Sequence, residues 1–164
     1  MSASRPTMRV GQGFDVHRFS DDPLRRLVLG GCEFAGERGL VGHSDADVIA
    51  HACADALLGA AGLGDIGMHF PDTDERFAGA DSMMLLQLVA GMVRDAGWAV
   101  ANVHASVICE RPKLAPRRNE IEAALTARID APVAVTGNRA EGLGAIGRRE
   151  GIACLAVALI EGER

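Results

Sequence analysis

The chain has no tyrosine and one tryptophan among its 164 residues, and aromatic residues make up only 4% of it. That scarcity removes the stacking platforms on which proteins hold single-stranded nucleic acid. An excess of positive charge is missing as well. Its 17 lysines and arginines stand against 22 aspartates and glutamates, a formal net charge of −5. This balance argues against nucleic acid or an anionic membrane as a partner. No uninterrupted apolar run approaches the length that spans a bilayer, and Met1-Ser2-Ala3-Ser4-Arg5-Pro6 lacks the apolar core of a secretory leader. The four cysteines, Cys32, Cys53, Cys109 and Cys154, show no C-x-x-C spacing. Cys53 and Cys109 fall in apolar patterns, as buried free thiols of a reducing compartment do. A cytoplasmic protein is expected.

What is abundant is apolar: 48% of residues are hydrophobic, enough for a sizeable core and too many for disorder. The organisation expected is a disordered tail over residues 1–7 and a single domain over 8–164. Met8 to His17 reads as a strand with a glycine-rich middle, Gly11-Gln12-Gly13, where a ligand or another backbone comes close. Leu27 to Phe34 reads as a hairpin turning at Gly30-Gly31. A helix carrying Met84, Leu85, Leu88, Val89, Met92 and Val93 inward starts at Asp81 or Ser82 and stops at Gly97. Trp98 to Cys109 alternates as a long strand. Pro116 opens a third helix, with Ile121, Ala124, Leu125 and Ile129 inward. Val133 to Val135 is a short strand and Ile152 to Ile160 a central one. Leu63 to Asp74 reads as a loop with local turns, and Gly137 to Gly147 as a glycine-rich loop. This order predicts an α/β (α+β) fold, a two-layer sandwich of a mixed β-sheet with helices on one face.

The stretch around which the chain is organised is Gly42 to His51. Ser44 reads as the N-cap of a helix running to Leu57 or Leu58, with Asp47 in the capping-box position. Asp47, His51 and Asp55 recur every four residues and share a polar edge, beside an apolar stripe of Ile49, Cys53, Ala56 and Ala60. His43, just before that cap, lies where the helix dipole favours an anion such as phosphate. On the first strand, period two puts Asp15 and His17 on one side. Brought beside the helix, they would make an Asp, His, His set, the three-ligand form of a catalytic zinc site. Spacing alone leaves open whether they meet, and a lone helical histidine is more often structural. Lys113, Arg117 and Arg118 form a small basic cluster, either solvated or facing a phosphate.

Five motifs occur in order: Gly13-Phe14-Asp15-Val16-His17, His43-Ser44-Asp45-Ala46-Asp47, Asp55-Ala56-Leu57-Leu58-Gly59-Ala60, Gly64-Asp65-Ile66-Gly67 and Phe70-Pro71-Asp72-Thr73-Asp74. Together they resemble the 2-C-methyl-D-erythritol 2,4-cyclodiphosphate synthase family of the non-mevalonate isoprenoid route, and the likeness runs from Arg9 to Ile160. The resemblance implies a homotrimer with active sites between neighbouring subunits. It implies conversion of 4-diphosphocytidyl-2-C-methyl-D-erythritol 2-phosphate to the cyclic diphosphate with release of CMP. By position, Asp15, His17 and His51 hold zinc at the substrate phosphate, and His43 and Ser44 form the phosphate-side pair, with His43 stabilising the transition state. Asp65, Ile66 and Gly67 line the methylerythritol site with Phe70, Pro71, Asp72, Thr73 and Asp74. Pro112, Lys113 and Leu114 cradle cytidine diphosphate, with Asn138 nearby. Glu141 is a substrate-side ligand of a second divalent ion, magnesium or manganese, and Arg148 lies near the trimer axis.

The chain departs from the family pattern in its last loop. A threonine-rich run is replaced by Asn138-Arg139-Ala140-Glu141, so Arg139 stands where a threonine assists the transition state, either as its functional substitute or pointing to solvent. Ala145 replaces a phenylalanine, Gly147-Arg148-Arg149-Glu150 replaces Gly-Arg-Gly-Glu, and Leu155 replaces a glutamate that some members carry near the axis. Two other readings remain at this point: a metal-dependent phosphohydrolase acting on a related nucleotide, and a degenerate trimer that only binds isoprenoid diphosphates.

Overall fold

Two glycines decide how closely the layers of this protein pack. In the computed structural model, which describes residues 7–162, strand β1 (Thr7–Arg18) carries Gly11 and Gly13 beneath helix α1 (Val48–Ala61). A β-carbon at Gly11 would stand 2.0 Å from the carbonyl oxygen of Ala56, and one at Gly13 would stand 2.0 Å from that of Ala52. The close approach expected at this glycine-rich strand is therefore made by a helix backbone. The helix side is equally bare, since Ala50, Ala52, Ala54, Ala56 and Ala60 are all buried.

The main sheet has the order β1-β6-β4-β5, with β4 spanning Ala99–Ile108, β5 Val133–Asn138 and β6 Gly151–Gly162. The β1–β6 and β6–β4 pairs are antiparallel and β4–β5 is parallel, so the sheet is mixed. The apolar run of β6 lies at the centre, as its composition predicts. Its Ile152, Cys154, Ala156, Ala158 and Ile160 face α1 and are buried. Helix α3 (Ser82–Asp95) packs on α1, and α4 (Arg118–Ile129) packs on β5 and α3, so the helical layer covers one face. The other face leaves Val10, Phe14, Val16, Leu155 and Val157 exposed. A small hairpin, β2 (Val28–Leu29) and β3 (Cys32–Glu33), turns at Gly30 and Gly31, both at positive φ. A tight type I′ turn requires that conformation. Among the described residues, no helix is long and apolar enough to cross a membrane.

Several local expectations need correcting. Asp47, not Ser44, caps α1. Its carboxylate accepts the N–H groups of Ile49 and Ala50 at 3.1 and 3.2 Å, and those of Gly30 and Gly31 at 2.8 and 2.7 Å. It is fully buried, so the expected polar edge of the helix is broken at its first member. With those amides already bonded, the start of α1 offers no anion site, and His43 lies four residues before the cap, exposed. On α3, Met84 and Leu88 are exposed rather than inward, because α1 and α4 cover only part of its circumference. Within residues 63–74 one of the expected local turns is helical: Asp65 caps α2 (Ile66–His69) by accepting the Met68 amide at 2.9 Å. The last loop is shorter than expected, since Gly137 and Asn138 complete β5 and α5 (Gly144–Gly147) forms one further turn. Residues 1–6 of the expected tail lie outside the described residues, and Thr7 already pairs with Gly162.

Candidate active site

Asp15 and His17 leave the same face of β1, and His51 comes from the first turn of α1. The three meet. Asp15 Oδ2 lies 2.9 Å from His17 Nε2 and 3.0 Å from His51 Nδ1, and the two ring nitrogens are 3.3 Å apart. Tetrahedral ligands bonded to zinc at about 2.0–2.1 Å are about 3.4 Å from one another. The triangle of donor atoms needs only a slight widening to fit such an ion.

Each histidine is held in the tautomer that leaves a lone pair for a metal. His17 Nδ1 lies 2.7 Å from the Val41 carbonyl, which only accepts, so the proton sits on Nδ1 and Nε2 is free. His51 Nε2 lies 2.8 Å from Ser82 Oγ and 3.1 Å from Ser44 Oγ. The Ser82 hydroxyl donates to Asp45 Oδ1, so its oxygen accepts from His51 Nε2–H, and Nδ1 is left facing Asp15. Supports of this kind, a carbonyl behind one imidazole and a carboxylate-backed hydroxyl behind the other, characterise metal-bound histidines. Burial works to raise the Asp15 carboxyl, but the hydrogen bonds and charge of His17 and His51 outweigh it and hold it below the usual carboxylate range. Burial opposes the charging of His17, and Asp15 reverses that and raises it. Among the described residues this is the only group of three or more metal-ligating side chains drawn this close.

The segment before α1 is pinned from behind. Arg25 donates through Nε to the Leu40 carbonyl at 2.9 Å and through Nη2 to the carbonyls of Gly42 and Ser44. Residues 40–44 thus keep the Val41 carbonyl and the Ser44 hydroxyl in place. Ser44 itself is buried, with its hydroxyl among His51, Ser82 and the Ala46 amide. His43 stays exposed, with Nε2 3.1 Å from the Asp74 carbonyl. The stretch that contains Asp65, Ile66 and Gly67 is tied to α1 by Asp55, which accepts the Ile66 amide at 2.7 Å. Phe70 packs edge-on against Phe77, Pro71 is half-buried, Asp72 and Thr73 are exposed, and Asp74 is held by Arg76. This segment reaches His43 through Asp74.

A second group of expected residues gathers elsewhere. Pro112, Lys113, Leu114 and Asn138 line a cavity of about 490 Å³ at the C-terminal ends of β4 and β5. Arg139 lines it too, and its Nε and Nη2 lie 3.0 and 2.9 Å from Glu110 Oε2. The Glu110 side chain is only 4% exposed, and its other oxygen accepts the Gly142 amide at 3.4 Å. Glu141 is exposed and outside the metal-ligating group, and Arg148 is exposed and paired with Glu150 at 2.6 Å. The cavity and the metal-ligating triad lie at the same end of the sheet but on opposite edges, with β6 and β4 between them. Three strand spacings amount to about 14 Å.

The residue pattern overlooked Ser82 and Asp45 as supports of His51, Arg25 as the pin of residues 40–44, and Glu110 as the partner of Arg139. Ser82 was visible only as a helix start and Asp45 only as one letter of a motif.

This geometry has relatives. Residues 8–161 match the model of the YgbB family. The chain belongs to the YgbB family. A protein of Trichlorobacter lovleyi named 2-C-methyl-D-erythritol 2,4-cyclodiphosphate synthase is 50% identical over 157 residues, which cover 93% of this chain and 98% of that one. A Rubrobacter xylanophilus protein of the same name is 55% identical over 157 residues, 93% of this chain and 94% of its own. Among solved structures, an IspF–CDP complex from Plasmodium falciparum superposes with a TM-score of 0.83 at 30% identity, covering 98% of this chain and all of that one. In this YgbB-family chain the mixed sheet, the helical layer and the Asp-His-His group therefore occur together. The relatives' names do not favour the phosphohydrolase or the binding-only reading.

Proposed function

We propose that this chain is a cyclodiphosphate synthase, converting 4-diphosphocytidyl-2-C-methyl-D-erythritol 2-phosphate to 2-C-methyl-D-erythritol 2,4-cyclodiphosphate with release of CMP. The observation that carries the reading is the convergence of Asp15, His17 and His51, with both tautomers oriented, in a chain about half identical to relatives of that name over nearly its whole length. The bond that forms joins an oxygen of the substrate's own 2-phosphate to the phosphorus distal to cytidine, and the bond that breaks releases CMP. The protein therefore needs no nucleophile of its own. Its cysteines agree with this, since burial pushes Cys32 and Cys109 up to about 11 and Cys53 up to about 12, far from the thiolate form.

Asp15, His17 and His51 would hold a zinc ion, which when bound would supply Lewis-acid polarisation of a phosphate oxygen. Glu141 is the protein ligand proposed for a second divalent ion, magnesium or manganese. His43, its ring oriented by donation from Nε2 to the Asp74 carbonyl, is the side chain that stabilises the charge that builds on the transferring phosphoryl group. Asp65, Ile66 and Gly67 and the stretch from Phe70 to Asp74 line the methylerythritol site, and Pro112, Lys113 and Leu114 receive the cytidine diphosphate with Asn138. Arg148 is assigned to the subunit axis.

Separation of the triad from the cavity supports a homotrimer in which the β1 edge of one copy meets the β5 edge of the next. The apolar open face formed by Val10, Phe14, Val16, Leu155 and Val157 supports the same assembly. A single domain in the cytoplasm suits the four free, buried thiols. Incubation of the purified chain with the substrate, followed by phosphorus NMR, tests the reading. Cyclic product plus CMP is expected, whereas linear product plus CMP, or no turnover, overturns it.

A further inference from the structure

Arg149 stands at a backbone position that suits glycine, and it lines the cavity at the ends of β4 and β5. Its φ is +62°, in the left-handed region where a β-carbon crowds the backbone. The turn that follows α5 imposes this conformation, because the Arg149 amide donates to the Ile146 carbonyl at 2.9 Å. A glycine would adopt the same backbone without that crowding, so the arginine is retained at a conformational cost.

The charges around the cavity indicate what the side chain is for. Arg111, Lys113, Arg118, Arg139 and Arg149 line it with a single carboxylate, Glu110, in a chain whose net charge is −5. One of these cations is hydrogen-bonded to a carboxylate, Arg139 to Glu110 at 2.9 Å, and Arg118 only approaches Glu122, at 3.9 Å. Arg148, next in sequence, is occupied by Glu150. Arg149 has no ion pair or side-chain hydrogen bond among the described residues, and it lines a space of about 490 Å³ that also has apolar walls at Pro112, Leu114 and Val135. An apolar wall beside uncommitted cations fits a flat base joined to a polyanion. Arginine offers a diphosphate paired donors as well as charge.

We infer that Arg149 is a further binding residue for the diphosphate of the nucleotide substrate, taking the cationic role that Arg139, held by Glu110, does not fill. The inference rests on the reading of this cavity as the nucleotide side of the site. Calorimetric titration of the zinc-loaded full chain with cytidine diphosphate tests it, with thermal melts of the same samples. Arg149→Gly should bind the nucleotide about tenfold more weakly while melting no lower than wild type, because glycine relieves the left-handed backbone. Arg149→Lys should recover part of the affinity. Unchanged affinity in Arg149→Gly overturns the inference and leaves the cavity reading intact. A loss of affinity that comes with a lower melting temperature and no lysine rescue also overturns it, since that marks a structural residue. A wild-type chain that does not bind cytidine diphosphate removes the cavity reading, and the inference with it.

Discussion

Ser82 Oγ lies 2.8 Å from His51 Nε2 and donates its own hydrogen bond to Asp45, so a serine on α3 sets which nitrogen of a histidine on α1 faces Asp15. Support of this kind is worth roughly 10–100-fold in metal affinity. Ser82→Ala should therefore hold zinc more weakly by about that factor, measured by competition with a chelating dye, while His51→Ala should lose the ion and the activity and keep its far-UV circular dichroism. Equal zinc affinity in Ser82→Ala and wild type would contradict the assigned tautomer.

Asp47 yields a pH prediction. Burial pushes its carboxyl up to about 6, and the backbone amides that it accepts only partly offset this. The folded chain thus binds more protons than the unfolded chain between roughly pH 4 and 6, so this group's contribution to stability is full below that window and falls as pH rises through it. Over the window the loss is on the order of 2–3 kcal/mol. Asp47→Asn, which cannot accept through its amide nitrogen, should cost roughly 1–3 kcal/mol at low pH and lose this pH dependence. Urea unfolding of both proteins at pH 4.5 and 7 measures it, and the difference between them cancels the metal ligands' own titration. Parallel pH profiles would count against the prediction.

Arg139 and Glu110 should behave as a unit. Arg139→Ala and Glu110→Ala each break the pair that joins the ends of β4 and β5 at the cavity, and Glu110→Ala also frees the Gly142 amide. Each should raise KM for the substrate, and the double variant should be little worse than either single one, which is the signature of direct coupling. Additive effects in steady-state kinetics would mean that Arg139 acts on the substrate independently of Glu110.

The open sheet face yields a prediction about assembly. Val157 is 44% exposed and Phe14 55% exposed, on neighbouring strands. Val157→Glu should break the proposed trimer into monomers that retain zinc but not cyclase activity, because in that arrangement the triad of one copy works with the cavity of the next. Light scattering that found wild type monomeric and active would remove the shared-site arrangement.

Much of the architecture was legible in the residues because it depends on local periodicity. The alternation of β4, the apolar run of β6, the Gly30-Gly31 turn and the helical spacing of α3 are short-range signals, and each appears where expected. The Asp15, His17 pair was also legible, since strand period alone puts two side chains on one face. Capping was misread because Ser44 and Asp47 both satisfy the local rule. The choice fell to Asp47 through Gly30 and Gly31, which lie 16 or more residues away in sequence and contribute two more amides to the same carboxylate. Tertiary structure alone decided that His51 meets β1, because that contact depends on Gly11 and Gly13 letting two backbones approach. It alone decided that Arg139 pairs with Glu110, because the parallel pairing of β4 and β5 ends both strands at one place. Sequence spacing specifies the neighbours along one element, whereas partners from different elements are specified only once the layers are packed.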